Sequence, residues 1–298
     1  MAISGSRMGC PVCEGHRHVT VVEHNGLHVV RCPVCGQQFV WPVPSDTQLA
    51  AIYDQAYYQG SHRSVGFSDY NGLTGARERM FRRHLRRLER YRRPGRVLDV
   101  GCATGDFLKA AQRHGWEAVG VDPSPAREHA LAAGLPIVGR TIDDADVDTQ
   151  SIDLVTFWDV LEHLQDPVQA LRRAAALLVP DGIVAATVPN AGSAVAKISG
   201  RRWFGYKTAG EHLQFFTAST VRRAFQSAGF EVVEHHAVAW TCTVGFLLDR
   251  ASLYLGPPGR LANHILAQSP MARLTVDVPQ VNQFIVGRRL ATPQSRAA

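Results

Sequence analysis

Apolar and polar positions alternate in two registers along the chain. From residue 96 onward, short apolar runs are followed by segments with apolar residues three or four apart. The runs are "RVLDV" (96–100), "EAVGVD" (117–122), "PIVGR" (136–140), "IDLVTFW" (152–158), "GIVAATVP" (182–189) and "EVVEHHAVA" (231–239). Between them, residues 106–114, "PAREHALAAG", "DPVQALRRAAALL" and "STVRRAFQSAG" carry the helical period. Nearly continuous apolar strands alternating with helices predict a parallel sheet covered on both faces. Ligands of such sheets bind at the carboxyl ends of the strands, near the point where strand order reverses.

The first 44 residues read differently. Cys10, Cys13, Cys32 and Cys35 form C-x2-C-x18-C-x2-C. This spacing predicts a zinc ribbon whose four thiolates close the ion's shell, so the metal is structural rather than catalytic. "HVTVVEHNGLHVVRC" between the knuckles reads as a hairpin turning at Asn25-Gly26. His16, His18, His24 and His28 lie nearby, but complete cysteine pairs leave them no necessary role as ligands. A ribbon this small is expected to need its metal to fold. Of the other two cysteines, Cys102 lies in a glycine loop that favours a small side chain, and Cys242 lies in an apolar run and reads as core.

Residues 45–95 form the link. Tyr53, Tyr57, Tyr58, Phe67 and Tyr70 occur among Gly, Ser and His, as in a flap closing over a ligand or a staple between domains. Tyr58 and Tyr70 are the flap's candidate substrate contacts. "RERMFRRHLRRLERYRRPGR" (77–96) follows, with ten Arg and two Glu, a net +8; the whole chain is +6, so the remainder is −2. Met80, Phe81, Leu85, Leu88 and Tyr91 give this basic helix an apolar face. Its arginines make either a solvated face or a surface for an anionic partner.

Composition adds bounds. A 45% hydrophobic fraction permits a sizeable core. "MAISGSRMGC" has no apolar signal region, and "AVAWTCTVGFLL" is too short to span a bilayer, so a cytoplasmic protein is expected. The tail 291–298 reads as disordered.

The candidate chemistry starts at "GCATG" (101–105), directly after the first parallel strand. It is neither G-x-G-x-x-G nor a P-loop. Asp99, at the strand end, is a poor neighbour for a pyrophosphate and a good one for an ammonium group. Asp122, at the end of the next strand, is placed to accept from ribose hydroxyls. S-adenosylmethionine combines these groups.

"VLDVGCATGDFL", "GVDPS", "IDLVTFWDVLEHL", "LVPDGIVAATVPN" and "EHLQFFTASTVRRAFQSAGFEVVE" together resemble class I S-adenosylmethionine-dependent methyltransferases over residues 96–290. The resemblance implies an α/β, doubly wound Rossmann-like sheet of seven strands, the last antiparallel and supplied by "NQFIVGRRL". It implies that Asp99, Gly101, Cys102 and Gly105 line the cofactor's methionine end, that Asp122 and Pro123 hold the ribose, that Ile142 and Asp143 approach adenine, and that Trp158 and Asp159 border the cofactor. Ala103 stands where many members have glycine, with little effect expected.

Methyl transfer to a hydroxyl needs an aligned nucleophile and a base. Candidate catalytic residues are His163 in "WDVLEHL" and Glu211 and His212 in "GYKTAGEHLQFFT". Trp203 and Tyr206, in the same Arg-, Trp- and Tyr-rich insertion, are candidate substrate contacts. A cysteine head, Tyr-rich flap and Glu-His pair also look like sugar C-methyltransferases, although about 60 residues after the last parallel-type strand are too few for the second domain those enzymes carry. The core is also similar to ubiquinone-pathway O-methyltransferases. The expected reaction is O-methylation of a small hydroxylated metabolite, such as a sugar, a glycan or a natural-product intermediate. Alternatives are a sugar C-methyltransferase, an RNA base methyltransferase that uses the ribbon and basic helix, and a cofactor-binding scaffold without turnover. Residues 240–278 read as an insertion of two helices joined by "PPG", suited to roofing the pocket or forming a homodimer face.

Overall fold

The computed structural model describes residues 9–24, 26–45, 74–248, 266 and 269–290. Tyr58, Tyr70, the rest of the expected flap, most of the helical insertion and the tail lie outside the described residues.

At the head, β1 (Val19–His24) and β2 (Leu27–Arg31) pair antiparallel, with His24 opposite Leu27 across the expected two-residue turn. Then β3 (Gln38–Trp41) pairs with β2. The basic helix α1 (Thr74–Leu88) buries Phe81, Leu85 and Leu88 on one side, the face its apolar spacing predicts. The main sheet begins with β4 (Arg96–Val100), followed by α2 (Asp106–Arg113), β5 (Glu117–Val121), α3 (Arg127–Ala132) and β6 (Ile152–Trp158). A single 3-10 turn, Leu161–His163, leads to α4 (Pro167–Leu177), which Asp166 caps by accepting from the Gln169 N–H at 2.9 Å. Then come β7 (Leu178–Pro189), α5 (Ala194–Ser199), β8 (Gln214–Phe215), α6 (Ala218–Ser227), β9 (Phe230–Thr243) and β10 (Thr275–Arg289).

The large sheet runs β5-β4-β6-β7-β10-β9. Its first four strands are parallel, and β10 is antiparallel to both β7 and β9. The expected strand at 136–140 is reduced to one parallel bridge, Ile137 to Gly120, which supplies the seventh position beside β5. Side chains of alternating parity fill two cores, one on each face. Strand order reverses at β4, with β5 on one side and β6 on the other, so a crevice opens at the carboxyl ends of β4 and β6.

Two sequence expectations change. The insertion does not begin at residue 240. Trp240–Thr243 and Thr275–Val278 continue β9 and β10 as a paired arm, with Val278 opposite Trp240 and Thr275 opposite Thr243. Cys242, on this arm, is buried as expected. The ribbon is also not a separate head. The short β8 pairs with β3 and completes a four-stranded sheet, β1-β2-β3-β8. A third small core of Val29, Val40, Trp203, Tyr206, Leu213 and Phe215 seals that junction.

Candidate active site

The glycine loop is shaped by backbone that only small residues accept readily. Gly101 and Gly105 adopt φ of 77° and 79°, and Ala103 adopts φ 45°. The left-handed conformation explains the usual glycine at the last position; alanine there carries a steric cost of order 1–2 kcal/mol, more than the slight effect its size suggested. A Cβ on Gly101 would lie 2.5 Å from Val160 Cγ2, so the segment after β6 packs directly on the loop.

Asp99 is 2% exposed, and its one hydrogen bond among the described residues comes from Thr156 Oγ1 at 2.7 Å. Burial, reinforced by Asp122, raises its pKa well above the usual carboxylate range, against the lowering by Thr156. A buried carboxylate with one hydroxyl partner fits an ammonium group. Asp122 accepts from the Ala103 and Ser124 N–H groups, each at 2.8 Å, and from the Ser124 hydroxyl. These bonds tie the end of β5 to the glycine loop and orient the carboxylate. Cys102 is buried in the same neighbourhood; burial, Asp99 and Asp122 all hold its thiol protonated. Pro123 is exposed, and its carbonyl accepts from Arg127 and Arg140, each at 3.2 Å. Ile142 is buried and Asp143 exposed on the same loop. The residues around the strand ends therefore suit S-adenosylmethionine, whose positive tail and ribose need an acid each.

At the end of β6, Trp158 packs against Phe81 and Phe107 and stacks on His84, with ring centroids 5.1 Å apart. Phe284 stacks on His84 at 4.7 Å and on Trp158 at 6.3 Å. Trp158 thus joins α1 to the sheet at the carboxyl end of β6. Asp159 takes a positive φ of 54° and accepts from Asn282 Nδ2 at 3.0 Å. Burial raises its pKa to about 6, against the lowering by Thr187.

His163 and His212 come together although 49 residues separate them: their rings meet edge to face at 4.7 Å. His163 Nδ1 lies 2.9 Å from the Glu211 carbonyl oxygen, and the Leu213 N–H donates to the Glu162 carbonyl at 2.7 Å. Burial lowers the His163 pKa to about 4, opposed by the Glu211 carbonyl; burial and His163 together lower that of His212 well below its usual value. Both imidazoles are therefore neutral near pH 7, the form a general base requires. The backbone of Glu211 orients His163.

Trp203 and Tyr206 are placed otherwise than a substrate wall requires. Both are buried in the small core under the ribbon, and the Tyr206 hydroxyl donates to Gln38 Oε1 at 2.6 Å. Their burial makes them packing between insertion and ribbon. Residues not singled out in the sequence also shape the site: Thr156, Ser124, Asn282, and Glu162, which lies beside His163 and is 1% exposed. A clear signal for Glu162 was available, an acid adjoining a histidine just past a strand end.

The cysteine cluster is assembled as its spacing predicts. Cys10 Sγ lies 3.5 Å from Cys35 Sγ, and Cys13 Sγ 3.6 Å from Cys32 Sγ, with no disulfide. Four sulfurs around an ion with bonds of about 2.3 Å are about 3.8 Å apart, so these four could hold a metal with little movement.

Residues 73–235 match the family described as a methyltransferase domain. The chain belongs to this family. Ubiquinone biosynthesis O-methyltransferases are among its relatives. That of Nitrobacter winogradskyi is 31% identical over 158 residues, covering 49% of this chain and 60% of that protein. One from a Methylobacterium species is 30% identical over 156 residues, covering 48% and 63%. The chain thus spans about three-fifths of the length of these curated relatives. The YcgJ protein of Bacillus subtilis superimposes with a TM-score of 0.51 at 16% identity, covering 72% of this chain and all of that one. A Bacillus halodurans structure gives 0.52 at 15%, covering 70% and 99%. These two likenesses show the methyltransferase fold. No helix among the described residues is long and apolar enough to cross a membrane.

Proposed function

We propose that the protein transfers a methyl group from S-adenosylmethionine to a hydroxyl of a small molecule. The observation that carries this reading is that Val160 packs on the glycine loop only three residues before His163, whose ring meets that of His212. The donor supplies a methyl on a sulfonium, open to in-line displacement. Asp99 would hold the ammonium, Asp122 the ribose, and the Ile142–Asp143 loop the adenine. Of the two imidazoles, His212 would accept the acceptor's proton, while His163, fixed by the Glu211 carbonyl, holds it in place. Glu211 would orient the acceptor.

The relatives' printed role, O-methylation in ubiquinone biosynthesis, supports a small acceptor with a hydroxyl group and gives no preference for a sugar or glycan. Cysteine chemistry and sulfur spacing support zinc in the ribbon as a structural ion. Transfer of labelled methyl into a fractionated extract tests the proposal. Label is expected in the small-molecule fraction and is expected to fall at least a hundredfold with His212→Ala. Label in RNA would overturn the reading and make the basic face of α1 the binding surface.

A further inference from the structure

The segment after β6 holds a second group of donors, separate from the four cysteines. One carboxylate oxygen of Glu162 and one ring nitrogen from each of His163 and His212 lie within 4.8 Å of one another. Glu162 is 1% exposed, and its Oε2 has no hydrogen-bond partner among the described residues. A buried carboxylate oxygen without a partner is costly unless a cation or a proton answers it.

Three features prepare these groups for an ion. A carbonyl oxygen can only accept, so His163 Nδ1 carries the proton in its contact with Glu211, and Nε2 presents its lone pair. An imidazole oriented through its other nitrogen by a carbonyl is how proteins aim a metal ligand. The Leu213 N–H bond to the Glu162 carbonyl fixes the spacing between the 3-10 turn that carries two donors and the segment that carries the third. Asp159, close enough to raise the Glu162 pKa, adds negative field.

We propose that Glu162, His163 and His212 form a divalent-metal site at the acceptor end of the crevice. Two imidazoles and one carboxylate suit a first-row cation such as Mn2+, Co2+ or Zn2+ rather than Ca2+ or Mg2+, which prefer oxygen donors. Three protein ligands leave positions open. This deepens the methyl-transfer reading and rests on it: the open positions take the acceptor's hydroxyl oxygen. Coordination acidifies that hydroxyl, whose proton passes to water. The oxygen's electron pair then forms the C–O bond as the C–S pair returns to sulfur. The histidines in this arrangement hold the ion, and the ion replaces a protein base.

The test uses the full chain with its four cysteines loaded with zinc. Mn2+ is titrated in, and the loss of the free-ion electron paramagnetic resonance signal is followed. One further equivalent should bind. Glu162→Gln and His163→Ala should each weaken that binding at least tenfold while leaving zinc content and S-adenosylmethionine affinity unchanged. Glu211→Gln, which spares all three donors, should bind as wild type. No Mn2+, Co2+ or Zn2+ beyond the ribbon's equivalent, or wild-type binding by Glu162→Gln, would overturn the site. Full methyl transfer without a second ion would also overturn it and leave the histidine-base reading standing. An ion bound tightly, with no transfer to any acceptor, would support the site and sink the methyl-transfer reading.

Discussion

Gly101 is under a double constraint. Its φ of 77° disfavours any Cβ, and a Cβ there would meet Val160 at 2.5 Å. Gly101→Ala should cost about 1–2 kcal/mol in backbone strain alone and push back the segment that carries Glu162 and His163. A melting temperature lowered by several degrees and a tenfold or greater loss of S-adenosylmethionine affinity by calorimetry are the expected outcomes. His84 carries a different kind of cost. Burial, with Arg87, His236 and Arg83 nearby, lowers its pKa to about 3. An unfolded His binds its proton near pH 6.5. Between these values the unfolded chain holds more protons, so stability is full above pH 6.5 and falls as the pH drops toward 3. His84→Phe, which keeps a ring against Trp158 and Phe284, should make the unfolding free energy less steep with pH in chemical denaturation from pH 6.5 to 4.

At the level of elements, the ribbon and the segment that carries the histidine pair are one assembly. The Val40 N–H donates to the Leu213 carbonyl at 2.9 Å, Gln37 donates to Gln214 at 3.2 Å, and Gln214 donates to the Leu164 carbonyl at 3.1 Å. Leu213 directly follows His212, so the cysteine-bearing hairpin props the histidine pair through β3 and β8. The Cys10→Ser, Cys13→Ser double variant should therefore reduce kcat at least tenfold while S-adenosylmethionine affinity changes less than threefold. Equal turnover by the variant would show that the ribbon serves something else. This junction also marks where reading the sequence stops. Apolar runs declare the parallel strands because both faces are buried, and cysteine spacing declares the ribbon because metal geometry is rigid. The pairing of β3 with β8 joins residues more than 170 apart and leaves no local signal, so Trp203 and Tyr206 look like substrate contacts until their packing is seen. The β9–β10 arm was legible in principle: Trp240-Thr241-Cys242-Thr243 and Thr275-Val276-Asp277-Val278 alternate with the period of two that marks a half-buried strand.

Across the whole molecule, the basic character is concentrated at α1 and partly offset there. Arg77 meets Asp106 at 3.4 Å, Arg87 meets Glu234 at 3.0 Å, Arg92 meets Asp153 at 2.5 Å, and Arg96 meets Glu117 at 3.2 Å. These pairs fasten the basic segment to the methyltransferase sheet, so part of the charge that suggests an anionic partner is structural. The cofactor end was the more legible half of the site because Asp99, the glycine loop and Asp122 fall at strand ends that periodicity locates. The histidine pair depends on a fold-back over 49 residues, which only the structure brings together. In the proposed mechanism, one crevice holds the methyl donor at the loop and turns its methyl toward the histidines. A crystal structure of the full chain with S-adenosylhomocysteine tests it most directly. The ribose hydroxyls should lie on Asp122, the amino group beside Asp99, and the sulfur facing the Glu162–His163–His212 group. A ligand bound with its sulfur turned away from that group, or outside the crevice between β4 and β6, would contradict it.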